Sequence, residues 1–163
     1  MSDNIGRPLS EAAAALLPYK TARELLAEKP PGLIAVAPQD SVLSALGLLA
    51  EHNFGLLVVL EGTRLVGVMS ERDYARKIIL KGRSSKKTKV EEIMISPPLT
   101  ISPGCSVDEA MRIMTEHRVR HLPVVDDAAT VLGIVSIGDL VKWIITSHEK
   151  TIEQLESYIS GQS

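Results

Sequence analysis

Two nine-residue stretches, Leu65–Asp73 (LVGVMSERD) and Val131–Asp139 (VLGIVSIGD), share one pattern. In each stretch an apolar run containing a glycine leads to a serine, and an aspartate follows that serine three residues later. The apolar run predicts a strand, and Ser-x-x-Asp is typical of a helix N-terminus. Each stretch therefore predicts a strand that ends where a helix begins. The unpaired N–H groups there can hold a phosphate or ribose, but the same motif also serves as a plain capping box.

The residues around the two stretches repeat as well. At the turn Asp126–Thr130 the second copy has one extra residue, so the offset between the copies rises there from 65 to 66. Each copy predicts the order strand, helix, strand, strand, helix, with a short helix in front. In the first copy these elements are expected at residues 33–37, 41–53, 56–60, 65–69 and 71–80, and the first strand of the second copy is expected around Thr100. The residues that recur at the offset of 65 are Pro38, Ser41, Val42, Ala45, Glu51, His52, Leu57 and Val59.

This order predicts an α+β fold of two β-α-β-β-α repeats. The short turns make the second and third strands of each repeat an antiparallel hairpin, and the first strand joins after crossing over its helix. Packing the two sheets face to face around a pseudo-twofold axis buries both apolar faces and creates two equivalent clefts. We expect an N-terminal arm at residues 1–20 with a short helix at Glu11–Leu17, a first repeat at 21–83, and a second repeat with a C-terminal helix at 84–158.

Composition argues against several classes of protein. The chain of 163 residues is 45% apolar and 23% charged, with a net charge of −2, which does not favour nucleic acid or a membrane surface as partner. No apolar run reaches the ~18 residues of a membrane span. The N-terminus lacks the pattern of a secretory signal, and Cys105 is the sole cysteine, so we expect a cytoplasmic protein.

With the repeat established, the sequence resembles a tandem pair of cystathionine β-synthase (CBS) domains, known as a Bateman module, of the small bacterial stand-alone type. The resemblance covers about Thr21 to Tyr158. It rests on an apolar strand, a strand containing glycine and then Ser-x-x-Asp, in the same order twice. The stretches that carry it are NFGLLVVLEGTRLVGVMSERDYARK and HRVRHLPVVDDAATVLGIVSIGDLVK.

The resemblance implies that an adenosine ligand (AMP, ADP, ATP, NAD or S-adenosylmethionine) binds in the clefts between the repeats. By position, Asp73 and Asp139 would hold the ribose hydroxyls, and Ser70 and Ser136 would contact ribose or phosphate. A carboxylate suits a diol because it accepts two hydrogen bonds. The residues expected to line the adenine are Ala35, Thr100, and the backbone around Leu56 and His121.

The two repeats differ where the phosphate should lie. Arg120 and His121 occupy the phosphate-facing positions of the second repeat, whereas the first repeat has Gly55 and Leu56 there. Pro123 has no counterpart in the first repeat. Arg72 and Arg76 occur only in the first repeat and can compensate for the missing cation, so we expect unequal clefts.

The function class favoured is a non-enzymatic adenine-nucleotide sensor, whose ligand state is read by an unidentified partner protein. We also expect a homodimer, because the helices keep a second apolar stripe at Leu43, Leu48, Ala50 and Ile113. The sequence shows neither a nucleophile with a paired base nor metal-ligand spacing. Two alternatives stay open. One is an enzyme of the inosine monophosphate dehydrogenase type, whose barrel alone needs about 250 residues, and the other is a DNA-binding regulator.

Overall fold

The computed structural model describes residues 19–30, 32–52 and 54–161. Most of the predicted arm at residues 1–20, with its helix Glu11–Leu17, lies outside the described residues. The elements of the first half are α1 (Ala22–Ala27), β1 (Ala35–Val36), α2 (Val42–His52), β2 (Leu56–Glu61), β3 (Arg64–Ser70) and α3 (Glu71–Tyr74). Those of the second half are α4 (Val107–His117), β4 (His121–Val125), β5 (Val131–Ser136) and α5 (Ile137–Ile159).

The first repeat has the predicted topology. β2 and β3 form an antiparallel hairpin, and Gly62 turns the chain between them at φ 62°, where a side chain would be strained. β1 pairs parallel to β2, with Ala35 opposite Val58, so the chain crosses over through α2 as a parallel pair requires. β1 is shorter than the predicted strand at residues 33–37.

The second repeat keeps the hairpin but reduces its first strand. β4 and β5 pair antiparallel, and the hairpins of both repeats shift register at equivalent places, Val59/Leu60 and Val124/Val125. Instead of a first strand there is a single parallel bridge between Ile101 and Val124. The sequence prediction of a strand around Thr100 is corrected accordingly.

The helix predicted at residues 71–80 changes type along its length. α3 begins at Ser70, whose side chain accepts a hydrogen bond from Asp73 N, and a π-helical turn takes over at Ala75–Ile79. In the second repeat Ser136 caps α5 in the same way, and α5 runs on as an α-helix for 23 residues. The equivalent helices therefore differ just beyond the two Ser-x-x-Asp motifs.

The two sheets pack face to face. Leu57 and Val59 point into the core of the first repeat, and Val58 between them points to the opposite side of β2 and is equally inaccessible. Both faces of the central strand are therefore covered. A bridge between Arg64 and Thr130 joins the two hairpins.

Each core includes a short helix from outside its own repeat. α1 lies at the start of the first repeat, yet Ala22 and Leu25 are buried in the core of the second repeat. Conversely, the 3₁₀ turn Val90–Glu92 lies at the start of the second repeat, and Val90 and the adjoining Ile93 are buried in the core of the first. The pairings are symmetric: Ala22 N donates to Cys105 O at 2.8 Å, and Val90 N donates to Asp40 O at 2.8 Å.

Glycine in β3 and β5 allows these exchanged segments to approach closely. A β-carbon built at Gly67 would lie 2.6 Å from Sδ of Met94, and one at Gly133 would lie 2.7 Å from Cδ2 of Leu26. The two glycines of the repeated motif thus serve packing at equivalent places.

The apolar stripe predicted on the helices is partly wrong. Leu48 and Ile113 pack against their own cores, while Leu43 and Ala50 are exposed. Larger apolar exposure occurs along α5, at Val141, Ile145, Ile152, Leu155 and Ile159. Among the described helices, none is both long and apolar enough to cross a membrane.

Candidate functional site

A cleft of about 830 Å³ lies between the two repeats. The first repeat contributes the end of β3 and the start of the following helix, including Ser70, Asp73 and Arg76. The second repeat contributes the continuous run His117–His121 and Pro123. The first repeat thus supplies the acid and two arginines, and the second repeat supplies two further arginines, which suits a ligand that carries both a diol and phosphate.

Asp73 is the buried acid of this cleft. It is 7% exposed, and its Oδ2 accepts hydrogen bonds from N and Oγ of Ser70, each at 2.9 Å. Its other oxygen, Oδ1, lies 3.9 Å from Nζ of Lys77, beyond hydrogen-bond distance. The capping box therefore uses one carboxylate oxygen and leaves the second one able to accept a further bond.

The run His117–His121 lines the cleft because the chain turns there from helix into strand. α4 ends at His117, and Arg118 follows in the left-handed conformation, at φ 54° and ψ 43°. Its N–H donates to Met114 O and closes the helix. β4 then begins at His121, opposite Ser136 of β5.

The imidazole of His121 occupies the space beside Gly55. A β-carbon built at Gly55 would lie 2.6 Å from Cε1 of that ring. Burial lowers the pKa of His121, the positive charges of Lys29 and Arg120 lower it further, and Asp139 acts in the opposite direction. His121 is therefore mainly neutral at pH 7.

The cleft carries more positive than negative side chains. Four arginines line it against the two acids Glu71 and Asp73. Nη1 of Arg72 lies 3.4 Å from the carbonyl oxygen of Arg118 and joins the two repeats across the cleft. A ligand with several negative charges fits this surface. The four arginines are Arg72, Arg76, Arg118 and Arg120.

The second acid, Asp139, is placed differently. Its Oδ2 accepts hydrogen bonds from Ser136 N at 2.8 Å and from Nζ of Lys29 at 2.7 Å, and the same ammonium donates to Ile134 O. Burial alone would raise the pKa of Asp139, but the bonds from Lys29 and Ser136 outweigh it and hold the pKa below its ordinary value. Asp139 lines a separate groove of about 510 Å³ between the segment 19–29 and α5.

The structure brings eight of the twelve predicted site residues to the large cleft: Leu56, Ser70, Arg72, Asp73, Arg76, Arg120, His121 and Pro123. Ala35, Thr100, Ser136 and Asp139 do not line it. The sequence-based grouping is corrected on one point. Arg120 and His121 share a cleft with Asp73 of the other repeat, whereas Asp139 of their own repeat lines the separate groove.

The sequence did not point to Arg118, nor to the role of Gly55 in the cleft. Arg118 was not singled out, although it stands in the basic run HRVRH at the helix-to-strand transition. Gly55 was interpreted as a lost phosphate ligand, whereas the structure gives it a spatial role beside His121. No group of three or more His, Cys, Asp or Glu side chains within residues 19–30, 32–52 and 54–161 could hold a metal ion.

The family model for the CBS domain matches the chain twice, at residues 22–80 and 90–146. A mitochondrial CBS domain-containing protein of Arabidopsis thaliana is 43% identical over 127 residues. That match covers 75% of this chain and 61% of the plant protein, so the chain spans less than two thirds of the relative.

Solved structures match as well. A CBS-domain protein from Burkholderia ambifaria is 45% identical, with a TM-score of 0.74 over 78% of this chain and 95% of that one. A CBS domain pair solved in complex with 5′-methylthioadenosine and S-adenosyl-L-methionine is 28% identical, with a TM-score of 0.68 over 78% and 97%. An inosine-5′-monophosphate dehydrogenase of Korarchaeum cryptofilum is 32% identical over 108 residues, which are 66% of this chain but 21% of the enzyme.

Proposed function

The chain belongs to the CBS-domain family, and on that basis we propose that it is a non-enzymatic regulatory module that binds an adenine nucleotide. The observation that carries the proposal is the cleft that joins Asp73 of one repeat to Arg120 and His121 of the other. The candidate ligands are AMP, ADP, ATP and NAD. The pair solved with two adenosine compounds supports the adenosine part of this proposal.

The side chains of the cleft suggest an orientation for the ligand. Asp73 accepts the ribose hydroxyls through Oδ1, which has Lys77 at 3.9 Å but no hydrogen bond to it, and the arginines of both repeats with His121 hold the phosphates. Leu56, Val68 and Pro123 give an apolar wall on which the adenine can lie. One nucleotide per chain fits this arrangement, because Lys29 already neutralises Asp139.

The test compares Asp73→Asn with Asp139→Asn. Asparagine keeps the size of the side chain but puts an NH₂ group in place of one acceptor oxygen. We expect Asp73→Asn to weaken nucleotide binding about 10- to 100-fold, the range for a lost charged hydrogen bond. Asp139→Asn should weaken binding less than Asp73→Asn does, since Asp139 lies outside the cleft and acts on it only through its charge on His121.

The readout is calorimetry, together with the melting temperature at increasing concentrations of AMP, ADP, ATP and NAD. A nucleotide at 100 times its Kd stabilises the wild type by about 2.7 kcal/mol. If Asp139→Asn abolished this gain and Asp73→Asn kept it, the assignment of the cleft would be overturned. A wild type that responds to none of the four nucleotides would overturn the proposed function itself.

The regulatory role is part of the same proposal. The dehydrogenase relative matches over 21% of its own length, so its match gives no support to a catalytic role for this chain. The module is proposed to act in the cytoplasm, as its single cysteine would allow, and as a homodimer through its exposed apolar helix faces. A separate protein would read the ligand state.

A further inference from the structure

Arg118 has a backbone conformation that its residue type disfavours. At φ 54° and ψ 43° it occupies the left-handed region, where a β-carbon crowds the following carbonyl group. Glycine, or else asparagine, is the usual residue at this position after a helix. Arginine therefore costs stability here, and its side chain does not assist in closing the helix, because the backbone N–H makes that bond.

The side chain of Arg118 lines the cleft, and a role there would explain why an arginine occupies this position. Arg118 and Arg120 are both exposed, whereas Asp73 on the opposite wall is buried and His121 is half-buried. Of the two arginines, Arg120 adjoins His121 in the chain, and Arg118 stands at the end of α4. A nucleotide whose ribose lies on Asp73 extends its phosphates outward along this gradient. Arg118 then meets the outer phosphates, and the nearer one meets His121 and Arg120.

The charges of the cleft agree with this order. Four arginines against two acids leave an excess of two positive charges, before either histidine is counted. A monophosphate needs only part of this surface. Nη1 of Arg72 donates to the backbone carbonyl oxygen of Arg118 at 3.4 Å, so a second guanidinium is held beside the backbone of this residue.

Building on the proposed function, we propose that Arg118 is a specificity-determining residue that contacts the second or third phosphate, so that the cleft selects nucleoside di- and triphosphates over monophosphates. The left-handed strain at this residue is the cost of placing a guanidinium where the helix ends.

The experiment uses Arg118→Gly, which relieves the strain and removes the guanidinium together. The melting temperature without ligand should rise by about 2–4 °C, the shift expected for a relieved left-handed residue in a chain of this size. The affinity for ATP, measured by calorimetry in EDTA so that no metal masks the phosphates, should fall about tenfold or more. The affinity for AMP should change less than about threefold, since its phosphate is expected on Arg120 and His121.

Two further variants separate the guanidinium from the backbone. Arg118→Asn tolerates the left-handed conformation but lacks the charge, so it should lose ATP affinity as the glycine variant does. Arg118→Lys keeps the charge without the planar fork and should be intermediate. Ala129 also has a positive φ, 61°, in a turn outside the cleft. Ala129→Gly is the matched control, which should raise the melting temperature and leave both affinities unchanged.

An unchanged ratio of ATP to AMP affinity in Arg118→Gly or Arg118→Asn would overturn this inference. So would an equal loss for both nucleotides, which would indicate a structural role at the end of α4. A wild type that binds AMP at least as tightly as ATP would overturn it while leaving the proposed nucleotide site intact. If wild type bound no nucleotide, the proposed function would fail first.

Discussion

The ring of His121 fills space that Gly55 leaves empty in the other repeat. Gly55 aligns with Arg120, and Leu56 aligns with His121, at the offset of 65. Gly55 therefore stands one position before the residue that is equivalent to His121. Where one repeat carries large polar side chains, the other carries the small residue that admits them. The difference between the two repeats at these positions therefore lets the side chain of one repeat fit against the other in the same cleft.

Gly55→Ala tests this relation. The added methyl group would press on Cε1 and Nε2 of His121 and push the ring from its place. We expect nucleotide affinity to fall about 3- to 10-fold, as for a displaced hydrogen-bond partner. The free energy of unfolding should change by less than about 1 kcal/mol, since the end of a side chain can move.

Gly104→Ala is the matched control for that change, because a β-carbon at Gly104 has no atom within 4 Å. It should leave both affinity and stability close to those of wild type. A Gly55→Ala protein that binds nucleotide as tightly as wild type would show that His121 is not a ligand contact.

The lowered pKa of His121 predicts opposite effects of acid on stability and on binding. The unfolded chain takes up a proton at this side chain near pH 6.5, before the folded chain does, so stability falls as the pH drops below that value. A bound phosphate favours the protonated ring, so nucleotide affinity should rise by up to about tenfold from pH 8 to pH 6.

The measurement is calorimetry with ATP over this range, for wild type and for His121→Asn. Both proteins experience the titration of the nucleotide itself, so the difference between their slopes isolates the histidine. Parallel slopes would contradict the assignment of His121 to the phosphates.

At the scale of elements, α5 has a face that no part of the described chain covers. Val141, Ile145, Ile152, Leu155 and Ile159 follow at spacings of 4, 7, 3 and 4 residues, which places them on one side of a helix. Ile152 and Leu155 are 54% and 56% exposed. A helix end without packing is marginal in water, so this stripe should pair with a second copy in the proposed homodimer.

Ile152→Glu and Leu155→Glu should each shift the dimer toward monomer, because a charge would have to be buried in the pairing face. Light scattering at micromolar concentration measures the shift, and nucleotide affinity per chain should be unaffected. Gln154→Glu introduces the same charge beside the stripe and should keep the dimer. A wild type that is already monomeric at that concentration would exclude the dimer.

The kinds of elements followed from the sequence more closely than their ends did. Periodicity predicted α2 at residues 41–53, and the helix is Val42–His52. The reduction of the predicted strand near Thr100 to a single bridge was not predictable from its apolar residues alone. Pro97, Pro98 and Pro103 lack N–H groups, and a single bridge at Ile101 remains.

The π-helical turn was not predictable either. It depends on a hydrogen bond from Leu80 N to Ala75 O, and no pattern of residues distinguishes such a turn from an α-helix.

At the scale of the whole molecule, the offset of 65 residues predicted the pseudo-twofold arrangement, and the packed sheets confirm it. The offset could not predict against which of the two cores each short helix packs. Leu25 and Ile93 are apolar residues that could cover either core, and only the path of the chain decides between them. The same holds for the cleft, where the sequence could identify Asp73 and Arg120 but not that they face each other.

Because Leu25 and Ile93 are exchanged between the two cores, the two repeats cannot be separated by chain cleavage or by gene rearrangement without loss of core residues. A chain severed in the segment Lys81–Lys89 would give two fragments, and each would carry a piece of the other's interior while lacking a piece of its own. Neither fragment is a complete folding unit, although each contains one full copy of the repeat. Gene duplication or domain transplantation can therefore move the pair intact, whereas a single repeat leaves its stabilising segment behind.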